Sequence, residues 1–436
     1  MNIREFIQES ERHLEIIHVD HRMAPDEKMA REIYRAGDRP IYFRSRWNGY
    51  RIVAGVCATR RHFAMALNVN ENELLPAILR ALKHPVAPPL VETAPCQEVV
   101  EESVDLESLP ILMHTRHDGG PYVTAGIVVS DDPETGRNVA FHRLLRLDRH
   151  RFTARLIENR GTHRIWAMTT ADVPIAICIG APIQAQLAGA ISPSPATDEL
   201  SIAHALAPLP VAQCISNTLY VPAESEIILE GRITHQLVDE GPFIDLTGTF
   251  DIVRPQPVIE IDRITHRADP IYQALLPGGP EHKMLMGMPR EPTIYAAVSE
   301  VCECRDVHIT PGGASWLHAI VQISKQNQED GRRAVEAAFR GHTSLKHVVV
   351  VDDDIDLRDM QAVEWAIATR FQADRDLVVM SDQPSSSLDP SATQVPGGKT
   401  RTAKMGLDAT IPWDGPAGPR APDDFKQVNY FEDSDP

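Results

Sequence analysis

Apolar and polar positions change their spacing along the chain, and the changes mark its parts. Ile3, Phe6, Ile7, Leu14 and Ile17 recur at near-helical spacing over residues 1–17, and a second helix is expected over Asp26–Ala36. Pro40–Phe43 and Arg51–Val56 read as strands. Asn72–Leu82 reads as a helix whose buried face carries Leu74, Leu75, Ile78, Leu79 and Leu82. From Tyr122 to Ile261 short β-type runs take over: Val123–Val129, Val139–Leu147, Pro174–Cys178, Thr218–Val221, Glu226–Ile233 and Ile244–Val253. Turn residues separate most of them, which predicts a largely antiparallel, barrel-like β region. One helix interrupts it at Asp198–Leu206, with Thr197 the expected N-cap and two acids in its first turn.

From Thr293 an α/β pattern returns. Helices are expected over Ala314–Gln322, Arg332–Phe339 and Met360–Arg370. His347–Val351 is a continuous apolar run of the kind found in buried strands, and Leu377–Met380 reads as another strand. Residues 383–400 are rich in Ser, Pro and Gly and read as a long loop. The expected organisation is α/β (α+β): 1–115 an N-terminal α/β domain, 116–292 a central β domain, 293–412 a C-terminal α/β domain, and 413–436 an acidic tail or arm.

Composition narrows the partners. The 436 residues carry a net charge of -18, which argues against a nucleic-acid or anionic-membrane partner, since both need a basic face. No apolar run is long enough for a membrane span, and the opening MNIREFIQESERHLEII lacks the apolar core of a secretory signal. The six cysteines are scattered, with only Cys302 and Cys304 close together, and read as reduced thiols of a cytoplasmic protein.

Candidate chemistry concentrates at Glu240-Gly-Pro-Phe-Ile-Asp245, where two carboxylates flank a Gly-Pro turn and an apolar pair. Acids held in a partly dry pocket suit proton transfer, because desolvation raises their pKa toward working pH. A β-turn with two surface acids is the plainer reading of the hexamer alone. Under strand alternation Val139, Phe141, Arg143, Leu145 and Leu147 share one face, which puts an arginine in an apolar stripe. Such a guanidinium needs an anionic partner, either an ion-paired core carboxylate or a substrate carboxylate with a catalytic Glu. Asp198 and Glu199 are read first as complementing a helix dipole, though a carboxylate at such an end can also ligate a hard cation. His163 is a possible nitrogen ligand or an ordinary histidine. Asp352–Asp354 could bind a metal but reads better as a strand-edge cap, and Lys404 reads as a solvated lysine. There is no GxGxxG, Walker loop, HExxH or GxSxG.

Taken in order, the motifs resemble the UbiD family of prenylated-flavin-dependent decarboxylases. The landmarks are Leu109-Pro-Ile, Asp118-Gly-Gly-Pro-Tyr-Val-Thr-Ala-Gly-Ile127, Asn138-Val-Ala-Phe-His-Arg143, Asp198-Glu-Leu, Ala223–Gly231, Glu240-Gly-Pro-Phe, Val350–Asp356 and Lys404–Thr410. The resemblance implies a central split β-barrel of flavin-reductase type between two α/β domains, and a homodimer or higher homo-oligomer. It implies prenylated FMN supplied by a UbiX-type flavin prenyltransferase, with Mn2+ or another divalent metal and K+ at its phosphate. By position, Asn138 and Glu199 would ligate the metal, and so would His163, with Gly161 an equal positional match. Lys404 would lie near the cofactor phosphate, Arg143 and Glu240 would orient the substrate carboxylate, and Asp245 would give the proton.

The implied activity is reversible, non-oxidative decarboxylation of an α,β-unsaturated or aromatic acid. Decarboxylation needs an electron sink that no side chain offers, so the chemistry itself asks for a cofactor. The Ile244–Thr249 stretch looks closer to members acting on an anhydromevalonate phosphate, and Leu276–Lys283 through Arg290 supplies cations that either face such a phosphate or lie at the surface or the flavin. A non-catalytic flavin- or metal-binding subunit of a carboxylase complex is the alternative of a different class.

Overall fold

The computed structural model describes residues 1–13, 16–194, 196–395, 400–412 and 422–425. Leu14 and most of the expected 413–436 arm lie outside the described residues. Two compact units form, Met1–Pro289 and Arg290–Pro436.

The first unit holds two main sheets. A four-stranded one orders Ile17–Val19, Ile41–Trp47, Tyr50–Ala54 and Ile271–Gln273, the last strand returning from far along the chain to pair in parallel with Tyr50–Ala54. The helix Glu27–Ala36 is capped by Asp26, whose carboxylate accepts from the Lys28 amide. A nine-stranded, largely antiparallel sheet is built around two long partners, Ile227–Glu240 and Arg254–His266. It runs open from Tyr122–Val123 at one edge to Gly136–Phe141 at the other, so no closed barrel forms among the described residues.

Period-two alternation explains why this sheet is buried on both sides. On Val173–Ile179, residues Ala176 and Cys178 enter one core with Ile183, Leu187, Leu200 and Ala203 of the helices Ile183–Ala190 and Glu199–Leu206. Ile175, Ile177 and Ile179 enter the opposite core with Leu229, Ile233 and Ile259. Each isoleucine or leucine among them taken fully out of water contributes roughly 1.5–3 kcal/mol, so both faces fix the register.

The second unit is a five-stranded mixed sheet in the order Glu303–Ile309, His318–Ser324, His347–Asp352, Arg401–Asp408, Leu377–Pro384. Helices Glu291–Ser299 and Asp330–Gly341 cover one face, and Met360–Arg370 packs on the other. Asp352 and Asp354 are not a bare strand-edge cap, because both pair with the buried Arg370.

Several local expectations are corrected. Residues Ala314–Gln322 do not form a helix: His318–Ser324 is a strand, with Ala319, Val321 and Ile323 in one core and Ile320 in the other. A short apolar run buried on both faces has no helical or strand period to read. Ile17 opens a strand rather than closing a helix. Asp198, not Thr197, is the N-cap of Glu199–Leu206. Val139–Leu147 is two strands, Gly136–Phe141 and Leu144–Arg146, with Arg143 in the break between them. Ile244–Val253 is a tight hairpin of Phe243–Ile244 and Phe250–Asp251, not one strand. All six cysteines are free thiols, and no helix among the described residues is long and apolar enough to cross a membrane.

Candidate active site

Strand pairing assembles the site from three separated stretches. Glu240 is the last residue of Ile227–Glu240, opposite Arg254 in the sheet register. The Gly241–Pro242 peptide is cis and leads into the hairpin, where Phe243 pairs with Asp251. The Gly119 amide donates to the Pro242 carbonyl at 2.8 Å. A Cβ on Gly119 would lie 2.4 Å from the Gly241 carbonyl oxygen, so only glycine allows this approach. The Asp118-Gly-Gly-Pro-Tyr motif is thereby clamped against the turn that carries the acids. Asp118 itself accepts from the His114 and Thr115 amides.

At the centre is Arg143. Its Nε and Nη2 donate to the two oxygens of Glu240, both at 2.9 Å, a bidentate pair. Nη1 donates to Asp245 Oδ2 at 3.1 Å, and Nη2 also to Asp251 Oδ2 at 2.9 Å. The guanidinium lies over the Phe243 ring, 4.8 Å from its centroid. Burial works against its charge, but Glu240 first, then Asp245 and Asp251, hold Arg143 more firmly protonated than a free arginine. Glu240 is fully buried and accepts a further hydrogen bond from the Tyr122 hydroxyl at 3.0 Å. Burial, and then the neighbouring Glu240, push the Tyr122 phenol above its ordinary range.

The two acids of the turn differ. Glu240 has no exposed side-chain surface, whereas Asp245 keeps 18% of its own. Asp245 Oδ1 accepts from the following Leu246 amide, which aims Oδ2 at Arg143. His282 completes this edge. Its Nδ1 accepts from the Gly278 amide at 3.0 Å, which places its proton on Nε2 when the ring is neutral. Burial lowers the His282 pKa, with the charges of Asp245 and Arg143 acting in opposite senses.

Asn138 and Glu199 form a second cluster. Glu199 Oε2 accepts from the Val139 amide at 3.0 Å, next to Asn138 in the chain. Asn138 Nδ2 donates to Thr162 Oγ1 at 3.0 Å. A Cβ on Gly161 would lie 1.9 Å from Asn138 Oδ1, so the start of helix Gly161–Ala167 is pressed onto this amide. Burial pushes the Glu199 carboxyl up to about 8. His142 Nε2 also meets Thr162 Oγ1, at 2.9 Å, and burial lowers its pKa to about 4. Gly161, Thr162 and the Ser130 hydroxyl lie against the Asn138 amide. His163 stands edge-on to Trp166, with Nδ1 3.4 Å from the Asn159 amide. No group of three or more His, Cys, Asp or Glu suited to a metal occurs among the described residues. Lys404, in the second unit, is buried rather than solvated. Its ammonium donates to the Thr343 carbonyl at 2.7 Å over the Phe339 ring, and burial lowers its pKa to about 8.

Sequence reading thus finds Arg143, Glu240 and Asp245, which the structure brings together, and Asn138 with Glu199. It misses Asp251, Tyr122 and His282 as members of the site. A hairpin centred on Thr247 would have set Asp251 opposite Phe243.

Three family models match successive parts of the chain. They are the N-terminal domain (residues 7–82), the Rift-related domain (90–280) and the C-terminal domain (283–409) of 3-octaprenyl-4-hydroxybenzoate carboxy-lyase, UbiD. Among characterised relatives, an anhydromevalonate phosphate decarboxylase of Methanosarcina mazei is 41% identical over 420 residues, 94% of this chain and 96% of that protein. The protein of the same name from Methanocaldococcus jannaschii is 39% identical over 390 residues, 88% and 91% of the two chains. In structure the chain resembles the UbiD-class enzyme HmfF of Pelotomaculum thermopropionicum in complex with FMN, with TM-score 0.92 and 33% identity over 98% of this chain and 97% of that one. An evolved dimeric form of HmfF in complex with prFMN gives TM-score 0.87 at 33% identity, over 94% and 95%.

Proposed function

The chain belongs to the UbiD family of decarboxylases, and from that premise we propose that it removes carbon dioxide from anhydromevalonate phosphate with prenylated FMN as cofactor. The observation that carries the chemistry is the Arg143 guanidinium held among Glu240, Asp245 and Asp251. What supports the substrate is the name shared by relatives matched over nearly their whole length. Loss of water from a β-hydroxy acid such as mevalonate leaves an α,β-unsaturated acid, the class of substrate that the sequence motifs imply.

Bound prenylated FMN supplies the electron sink that decarboxylation needs. The chain's own residues then divide the work. Arg143 binds the substrate carboxylate through its Nη1 edge, the side not occupied by Glu240. Glu240 keeps the guanidinium in its plane. Asp245, on the exposed side of the pair, gives the proton to the carbon that carbon dioxide leaves.

The residues present fit the cofactor's divalent metal. Asn138 Oδ1 and the Glu199 carboxylate are hard oxygen donors on neighbouring elements, as Mn2+ prefers. The buried Glu199 carboxyl has a backbone amide for support, and a cation would favour its ionised form. His163 is the family-position candidate for a third donor, Lys404 that for the cofactor phosphate, and K+ rests on the resemblance. We likewise read the open antiparallel sheet as the split β-barrel of a flavin-binding domain, with domains at 1–115, 116–292 and 293–412. A homo-oligomer and a flavin prenyltransferase as supplier complete the reading.

The test is co-expression with a flavin prenyltransferase, a visible spectrum of the purified protein, and a carbon dioxide assay on anhydromevalonate phosphate beside aromatic acids. Release from the phosphorylated acid is expected. A flavin-loaded protein that turns over only aromatic acids would overturn the substrate.

A further inference from the structure

An arginine side chain carries five N–H donors. In Arg143 four of them are engaged: Nε–H and one Nη2–H on Glu240, the other Nη2–H on Asp251, and one Nη1–H on Asp245. The two anchors at Nη2 differ in kind from the one at Nη1. Glu240 is buried and further held by Tyr122. Asp251 is itself pinned. Arg254 grips it bidentately, Nη1 to Oδ2 at 2.8 Å and Nη2 to Oδ1 at 2.9 Å, and the Ile252 amide donates to Oδ1 at 2.9 Å. Arg254 in turn stands opposite Glu240 in the sheet register, and ion pairs join Arg254, Asp251, Arg143 and Glu240 in a chain of alternating charge.

We infer that Asp251, fixed by Arg254, is a positioning residue that holds the Arg143 guanidinium through Nη2, the nitrogen Asp245 does not touch, so that Arg143 keeps its orientation while Asp245 changes protonation. This rests on the decarboxylase reading of the site. Asp245 accepts a single hydrogen bond from Arg143, and losing or gaining a proton changes the strength of that bond. Were Asp245 one of only two supports, the guanidinium would follow it at each turnover. Asp251 takes no part in proton transfer, because its oxygens already accept from Arg254, Ile252 and Arg143. Burial opposes its charge, but Arg254 and Arg143 hold the carboxyl below the ordinary carboxylate range. Glu240 and Asp251 are therefore the constant partners of Arg143, and Asp245 the exchangeable one. The Nη1 edge is the part of the cation left for substrate.

The experiment compares wild type, Asp251→Ala and Asp251→Glu, each alone and in an Arg143→Lys background, as flavin-loaded protein, with crystal structures of the cofactor-free wild type and Asp251→Ala. A shift of the guanidinium by an ångström is expected to lower kcat on the order of 10- to 100-fold. The flavin spectrum should be unchanged, because no residue proposed to hold the cofactor is altered, while KM should rise with the fall in kcat, since Arg143 also binds the substrate carboxylate. Asp251→Glu should recover part of the loss. In the Arg143→Lys background, where no Nη2 exists to be held, Asp251→Ala should cost nothing further. The crystal structure of the Asp251→Ala single variant should show Arg143 turned out of its Glu240 plane. An equal loss in both backgrounds, or Asp251→Ala with wild-type kcat and an unmoved Arg143, overturns the inference. If wild type leaves anhydromevalonate phosphate intact, the substrate reading fails instead, and the position of Arg143 in the two crystal structures still decides the role of Asp251.

Discussion

Arg143 sets the terms at the residue scale. Removing one member of a buried ion pair strands the other, at a cost of about 3–5 kcal/mol. Glu240 is fully buried and would keep only Tyr122 after Arg143→Ala. That variant is expected to lose decarboxylation and also to melt several degrees lower by calorimetry. Asp245→Asn should do the opposite: 18% of the side chain is exposed and the amide still accepts from Leu246. Stability should change by less than about 1 kcal/mol, with turnover and solvent-deuterium exchange into product both abolished. Undiminished exchange would remove Asp245 as the proton donor. A second residue-scale test concerns stability rather than proton transfer. Glu281 is buried against the Gly55 and Cys57 amides and Gln273, and burial pushes its carboxyl up to about 7. Its folded pKa is raised above the unfolded value, so the folded state binds the extra proton between pH 4.5 and about 7. Stability must fall as pH rises through that window, by on the order of 3 kcal/mol at most. Glu281→Gln should flatten the melting temperature between pH 5 and 7.5, and an unchanged slope would place the titration elsewhere. Arg143, Glu240 and Asp245 were legible in the sequence because charge among apolar neighbours is a local signal. Asp251 was not, because its place beside Arg143 exists only through hairpin pairing.

Elements decide whether such residues meet. Helix Gly161–Ala167 begins directly on Asn138, and no side chain fits between them. Gly161→Ala would put a methyl 1.9 Å from Asn138 Oδ1, so the amide must turn. Overpacking of this kind costs roughly 1–3 kcal/mol, but the larger expected effect is on the cluster with Glu199. Metal content by mass spectrometry and flavin absorbance should both fall in Gly161→Ala, while His163→Ala separates a histidine ligand from a bystander. Retained metal in Gly161→Ala would detach Asn138 from the metal. Elements with clean periods were readable from sequence: Glu27–Ala36, Leu74–Lys83 and Asp330–Gly341 lie close to where the patterns put them. His318–Ser324 was not, since a strand with apolar residues on both faces carries no alternation. The break at Arg143 was invisible for a related reason. His142 and Arg143 continue the alternation of the strand before them, yet the chain leaves the ladder so that Arg143 can turn to Glu240.

At the scale of the molecule, long-range pairing overrides local texture. Ile271–Gln273 returns to the N-terminal sheet, so residues 1–289 close into one unit, and nothing near Ile271 announces that partner. The second unit raises a different question through Lys404, which sits in a strand of its sheet with the ammonium buried over Phe339. A core of this kind would ordinarily take an apolar side chain of the same length, because burial disfavours the charged form and lowers the lysine pKa to about 8. Its folded pKa lies below the unfolded value, so the penalty is present below about 8 and fades as pH rises toward 10.5. Lys404→Met is therefore expected to melt at the same or a higher temperature than wild type at pH 7, the difference narrowing by pH 9.5. If the lysine serves the cofactor phosphate, the same variant should purify with less flavin after co-expression with the prenyltransferase, a gain in stability set against a loss of function. Full flavin occupancy with raised stability would make Lys404 a structural residue. A lower melting temperature at pH 7 would show that the hydrogen bond to Thr343 outweighs the cost of burying the charge.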